Sequence, residues 1–81
     1  MNIKVLVFAH IKELIGSGSI DIELNEGATG NDLLQKMESS FPQIKDHRKY
    51  LKLSMNGEYL DGETTIVRDA EIAIFPPVSG G

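Results

Sequence analysis

The apolar and polar positions fall into short blocks that change period several times along the chain. Ile3 to Ala9 (Ile-Lys-Val-Leu-Val-Phe-Ala) is β-branched and nearly all apolar, the composition of a buried central strand. In His10 to Ile15 the spacing becomes helical, with Ile11, Leu14 and Ile15 on one side, and Gly16-Ser17-Gly18 stops it after one or two turns. Ile20, Ile22 and Leu24 then alternate with Asp21, Glu23 and Asn25, which predicts a strand with one buried and one wet face, paired antiparallel with the first. After the turn Glu26-Gly27-Ala28, Thr29 can cap a helix, with Asp32 three residues on as the reciprocal member of a capping box.

Leu33, Leu34, Met37 and Phe41 give that helix an apolar stripe, and Pro42 ends it near Ser40. Gln43 to Lys49 is polar and irregular. Tyr50 to Met55 alternates again, Asn56-Gly57 signals a tight hairpin into Glu58-Tyr59-Leu60, and Asp61-Gly62 turns the chain once more. Ile66-Val67 is a short apolar segment, Arg68-Asp69 a turn, and Ile72-Ala73-Ile74-Phe75 the last strand. Two strands, a helix and two or three further strands predict an α+β fold with the helix packed across one face of the sheet. The expected organisation is one domain over residues 1–75 and an extended tail over 76–81.

Composition narrows what such a domain can do. With 81 residues it buries roughly 60–65% of its unfolded surface, too little to enclose a deep pocket as well as a core. That favours a binding or carrier module over a self-contained enzyme. The net charge is −4, and Lys and Arg read as scattered, so nucleic acid is not an expected partner; the acidity weakly favours partners with basic surfaces. No cysteine is present, which excludes disulfides, thiol nucleophiles and persulfide carriage on a side chain. No apolar run reaches membrane-spanning length and no signal peptide is expected, so the cytoplasm is the expected compartment.

The tail is the chemically distinctive part. Pro76 and Pro77 cannot extend a sheet ladder and favour an extended backbone. Val78, Ser79, Gly80 and Gly81 follow, and six extended residues reach about 20 Å. Gly80 and Gly81 carry no side chains, so the tip can enter a narrow slot and its carboxylate is sterically open. That carboxylate is an anion at neutral pH and a poor acyl electrophile, so reaction at it requires activation, for which transfer of AMP from ATP is the usual route. Without cysteine, Gly81 is the one plausible place for transferable sulfur.

Phe75-Pro76-Pro77-Val78-Ser79-Gly80-Gly81 resembles the C-terminal motif of the small, sulfur-carrier subunits of molybdopterin synthase, which are ubiquitin-like β-grasp proteins. Val5 to Ala9 followed by Lys12-Glu13-Leu14 and Gly16, Asn56-Gly57-Glu58-Tyr59, and Glu71-Ile72-Ala73 carry the likeness further; residues 17–55 match in pattern only. One departure is Arg68-Asp69-Ala70, where that family often has Asp-Gly-Asp, so that Asp69 occupies a turn position glycine takes more easily. The resemblance implies a mixed four- to five-stranded sheet with one main helix. It implies no permanently bound cofactor, ATP used by an E1-like adenylyltransferase, and a transient AMP on Gly81. A sulfur donor would make the thiocarboxylate, and a large catalytic subunit, in a heterotetramer, would use it on cyclic pyranopterin monophosphate.

Phe8, Phe75, Pro76 and Pro77, at the base of the tail, form the candidate partner-docking patch, while Gly80, Ser79 and Val78 would thread into the partner. His10 and His47 read as solvated or packing histidines, and Asp21, Glu23 and Glu26 as a solvated sheet face; no metal site is expected. Asp61-Gly62-Glu63 is too short for a calcium loop. A second class of function shares the Gly-Gly end: a protein modifier joined through Gly81 to lysines. Carriers of sulfur for thiamine thiazole or tRNA thiolation share it too, but Pro76-Pro77-Val78-Ser79 favours the molybdopterin branch.

Overall fold

The computed structural model describes residues 1–76. Its elements are β1 (Asn2–Val7), α1 (Ala9–Ile15), β2 (Ser19–Glu23), α2 (Gly30–Ser40), a 3-10 helix (Pro42–Tyr50), β3 (Lys52–Met55), β4 (Glu58–Leu60) and β5 (Ile72–Phe75). The strands form one open mixed sheet in the order β2-β1-β5-β3-β4. β1 is antiparallel to β2 and parallel to β5, and β3 is antiparallel to both β5 and β4. The first and last strands therefore lie side by side at the centre, the β-grasp arrangement.

β1 is central, but it is not buried on both faces. Ile3, Val5 and Val7 are fully buried, whereas Asn2 and Lys4 are exposed and Leu6 is only partly covered. The helices pack on one side of the sheet only, so the apolar Leu6 and Phe8 are left on or beside the open face. The core on the covered side joins Ile3, Val5 and Val7 to Leu33 and Met37 of α2, to Leu53, and to Ile72 and Ile74 of β5. Burying such side chains contributes about 1.5–3 kcal/mol each.

α2 starts where the sequence places it. The Thr29 side chain accepts from the Asp32 N–H at 3.3 Å, and the Asp32 carboxylate accepts from the Thr29 N–H at 2.9 Å. Two further N–H groups of its first turn, on Gly30 and Asn31, donate to the carbonyls of Thr64 and Gly62 at 3.1 and 2.8 Å. Backbone from the stretch before β5 thus satisfies donors that a helix start leaves unpaired. The same stretch buries Ile66, whose N–H donates to the Ala28 carbonyl at 2.8 Å, but leaves Val67 50% exposed.

The polar stretch after Pro42 is not irregular: it forms the nine-residue 3-10 helix. Pro42 has its fixed φ at the helix start, where no N–H is needed, and the fully buried Ile44 anchors the segment against the core. Because Tyr50 belongs to this helix, β3 begins later than the alternation predicts, at Lys52. The Asn56-Gly57 hairpin has φ of 54° and 86° at its two central residues, which is the left-handed pair a two-residue turn requires. Asp69 has φ 64°, so it holds the left-handed conformation that a glycine would take at lower cost.

Candidate docking site at the root of the tail

β5 alternates cleanly. Ile72 and Ile74 point into the core, while Ala73 and Phe75 are partly exposed on the open face. Its neighbours supply the rest of that face. Ala73 is level with Leu6 on β1 and with Ser54 on β3, and Phe75 is level with Lys52. Tyr59 is level with Ser54, is 75% exposed, and tilts its ring against that of Phe75 with centroids 5.9 Å apart. Val7 and Ile74 are the last paired residues of the parallel ladder, and Phe8 and Phe75 come one step beyond them. The Phe8 N–H still donates to the Ile74 carbonyl at 3.3 Å, and the ring is 48% exposed.

Of the residues singled out in the sequence, Phe8, Phe75 and Pro76 are thus brought to one end of the sheet, at the point where β5 runs out. Pro77, Val78, Ser79, Gly80 and Gly81 lie outside the described residues. Sequence reasoning did not include Leu6, Ala73 and Tyr59 in this patch. The signal was available for Leu6 and Tyr59, since an apolar residue at an even position of β1 and an aromatic after a tight hairpin both fall on the face opposite the core. Beside the patch, Ala9 has φ 54°, a strained value for alanine, where the chain turns from β1 into α1.

His10 and His47, far apart in the chain, meet edge to face with ring centroids 5.3 Å apart, where α1 lies against the 3-10 helix. Glu13 is 3.9 Å from His10 Nδ1. Among the described residues, no group of three or more potential ligands could hold a metal ion. None of their helices is long and apolar enough to cross a membrane. Among the described residues, an open groove of about 1310 Å³ lies between α2, the 3-10 helix and the β3–β4 hairpin, with Leu34, Leu53 and Tyr59 among its walls. It lacks the enclosed apolar lining of a substrate pocket. Among the described residues, the apolar side chains of Leu6, Phe8, Tyr59 and Phe75 remain at least partly exposed.

Residues 5–81 match the ThiS family. The chain belongs to that family. Among its ThiS-like relatives, a molybdopterin synthase sulfur carrier subunit from Dictyostelium discoideum is 42% identical over 96% of this chain and 94% of the relative. A protein of the same description from Arabidopsis thaliana is 33% identical over 100% of this chain and 84% of its own length. In three dimensions the chain is similar to a crystal structure of SAMP1, small archaeal modifier protein 1, from Haloferax volcanii, with TM-score 0.87, 25% identity and full coverage of both chains. ThiS membership accounts for the β-grasp sheet, and the family match extends through the terminal glycines.

Proposed function

We propose that this chain is the sulfur-carrier subunit of a molybdopterin synthase, and that its C-terminal carboxylate is the reactive group. The observation that carries the reading is the full-length likeness to molybdopterin synthase sulfur carrier subunits in a chain that ends on Gly80-Gly81 and has no cysteine. In the proposed cycle the Gly81 carboxylate attacks the α-phosphorus of ATP on an E1-like adenylyltransferase and pyrophosphate leaves. Sulfur delivered by a donor at the oxidation level of hydrosulfide then attacks the acyl carbon, the C–O bond to phosphate breaks, AMP leaves, and the terminal thiocarboxylate remains.

The tail then enters the large subunit, which holds the catalytic side chains, and sulfur passes to cyclic pyranopterin monophosphate to build the dithiolene. Two transfers per product fit a synthase with two copies of each subunit. The carrier itself contributes a stable handle, a docking face at the tail root and a slender tip. It works in the cytoplasm with no permanently bound cofactor.

The second reading, a modifier attached through Gly81 to lysines, is favoured by the likeness to a small archaeal modifier protein. Both readings begin with an adenylate, so the decisive measurement is the product. Intact mass after incubation with the activating enzyme, ATP and a sulfur donor is expected to show one oxygen replaced by sulfur at Gly81. An unchanged mass, or conversion only into conjugates that resist thiol reagents, would sink the carrier reading.

A further inference from the structure

The net charge of −4 conceals a strong internal asymmetry. Lys45, Arg48, Lys49 and Lys52 are four of the eight Lys and Arg residues and lie within one eight-residue stretch, so the cations are not scattered. With Asp46, these four give residues 45–52 a formal +3, which leaves −7 on the rest of the chain. The structure puts this stretch beside the tail root. Lys52 is level with Phe75, the last residue of β5, because β3 runs antiparallel to β5, and Lys45, Lys49 and Lys52 line one groove with Tyr59, whose ring meets that of Phe75.

Not every cation in the stretch is available. The Arg48 guanidinium donates to Glu38 at 2.9 Å and is committed to tying the 3-10 helix to α2. Lys45, Lys49 and Lys52 are exposed and make no ion pair among the described residues. Lys49 lies over the Tyr50 ring, its Nζ 5.1 Å from the centroid, which holds its charge near the end of the 3-10 helix. Asp46 and Asp61 line the same groove, but Asp61 Oδ1 accepts from the Glu63 N–H.

We propose that Lys49 and Lys52, with Lys45 behind them, form a cationic rim to the apolar patch. The rim fits a protein partner whose tail-receiving surface carries acidic side chains around an apolar centre. The inference rests on the sulfur-carrier reading and sharpens it, because it reverses the partner charge that the overall acidity suggests. An acidic partner surface would be repelled by most of this molecule and attracted at one edge, so it would meet the tail root first. Charged rims of this kind act on encounter rate and orientation more than on final affinity.

The test uses the full-length chain and the large synthase subunit of the same organism. Association rates are measured at about 50 and about 200 mM salt, where screening lengths differ enough to expose steering. Lys49→Glu/Lys52→Glu is expected to slow association about tenfold or more at the lower salt and to flatten its salt dependence. Lys36→Glu/Arg68→Glu makes the same change in net charge on exposed residues outside the patch and is expected to stay within about twofold of the original chain. Lys49→Gln/Lys52→Gln, which removes charge without reversing it, is expected to fall between, and melting curves check that each variant is folded.

Equal slowing by both charge-reversal pairs, an effect of less than twofold at the rim, or faster association of the original chain at higher salt would each overturn the rim. If the original chain does not bind the large subunit at either salt concentration, the sulfur-carrier reading fails and the rim fails with it. Normal binding by the rim variants removes the rim alone.

Discussion

Replacing Phe75 with alanine separates docking from packing at the tail root. The side chain is partly exposed on the open face, so the substitution leaves no enclosed cavity. The folded state loses the tilted contact with Tyr59, worth about 0.5–1.5 kcal/mol, and the covered part of the ring. A destabilisation of about 1–2 kcal/mol is expected, which lowers the melting midpoint of a domain this size by roughly 4–15 °C. Ile74, one residue earlier and fully buried, is the comparator: Ile74→Ala should cost about 2–5 kcal/mol.

Binding should rank the two changes the other way. An aromatic anchor at the centre of an interface typically costs at least about 2 kcal/mol when truncated, which is roughly thirtyfold in Kd. Urea denaturation gives the first quantity, and titration calorimetry with the large synthase subunit, at a temperature where every variant is folded, gives the second. The expected pattern for Phe75→Ala is a small stability loss with a large affinity loss, and for Ile74→Ala the converse. If Phe75→Ala costs as much stability as Ile74→Ala and leaves Kd unchanged, Phe75 is a packing residue and the patch is not a docking site.

Three further outcomes are expected. Deleting Gly81, or adding one residue after it, should abolish thiocarboxylate formation by intact mass while leaving the thermal midpoint unchanged; full activity in either variant refutes the assignment of the reactive carboxylate. Thr29→Ala removes one half of the capping box and should cost about 1 kcal/mol in urea denaturation, with no effect on sulfur loading. Asp69→Gly should relieve left-handed strain at φ 64° and raise stability by about 0.5 kcal/mol, so a lowered urea midpoint would show that the Asp69 side chain contributes something the backbone geometry does not reveal.

The elements with a clear period were legible in the chain. The capping box at Thr29 and Asp32, the α2 stripe of Leu33 and Met37, and the Asn56-Gly57 turn each follow from local rules that tertiary packing does not override. The 3-10 helix was not legible, because a single buried Ile44 among polar neighbours produces no period to detect. β1 misled for a different reason. A run of apolar residues looks the same whether both faces are covered by the protein's own helices or one is left open. Only the register of Leu6, Ala73 and Ser54 across three strands shows that the second face is bare. The cationic stretch was visible as letters, but its meaning depends on Lys52 lying opposite Phe75, a pairing between residues 23 positions apart.

The central position of β5 also determines how the molecule bears load. β5 is flanked on one side by parallel β1 and on the other by antiparallel β3, and the Met1 ammonium donates to the Leu24 carbonyl at 2.6 Å, at the end of the sheet opposite the tail root. A pull on the tail, resisted at the N-terminus, acts along the strands and must slide β5 past β1 with several hydrogen bonds strained together. An edge strand such as β4 would instead peel away one bond at a time. A partner that pulls on the tail while seating or releasing it would therefore load β5 in shear against its neighbours.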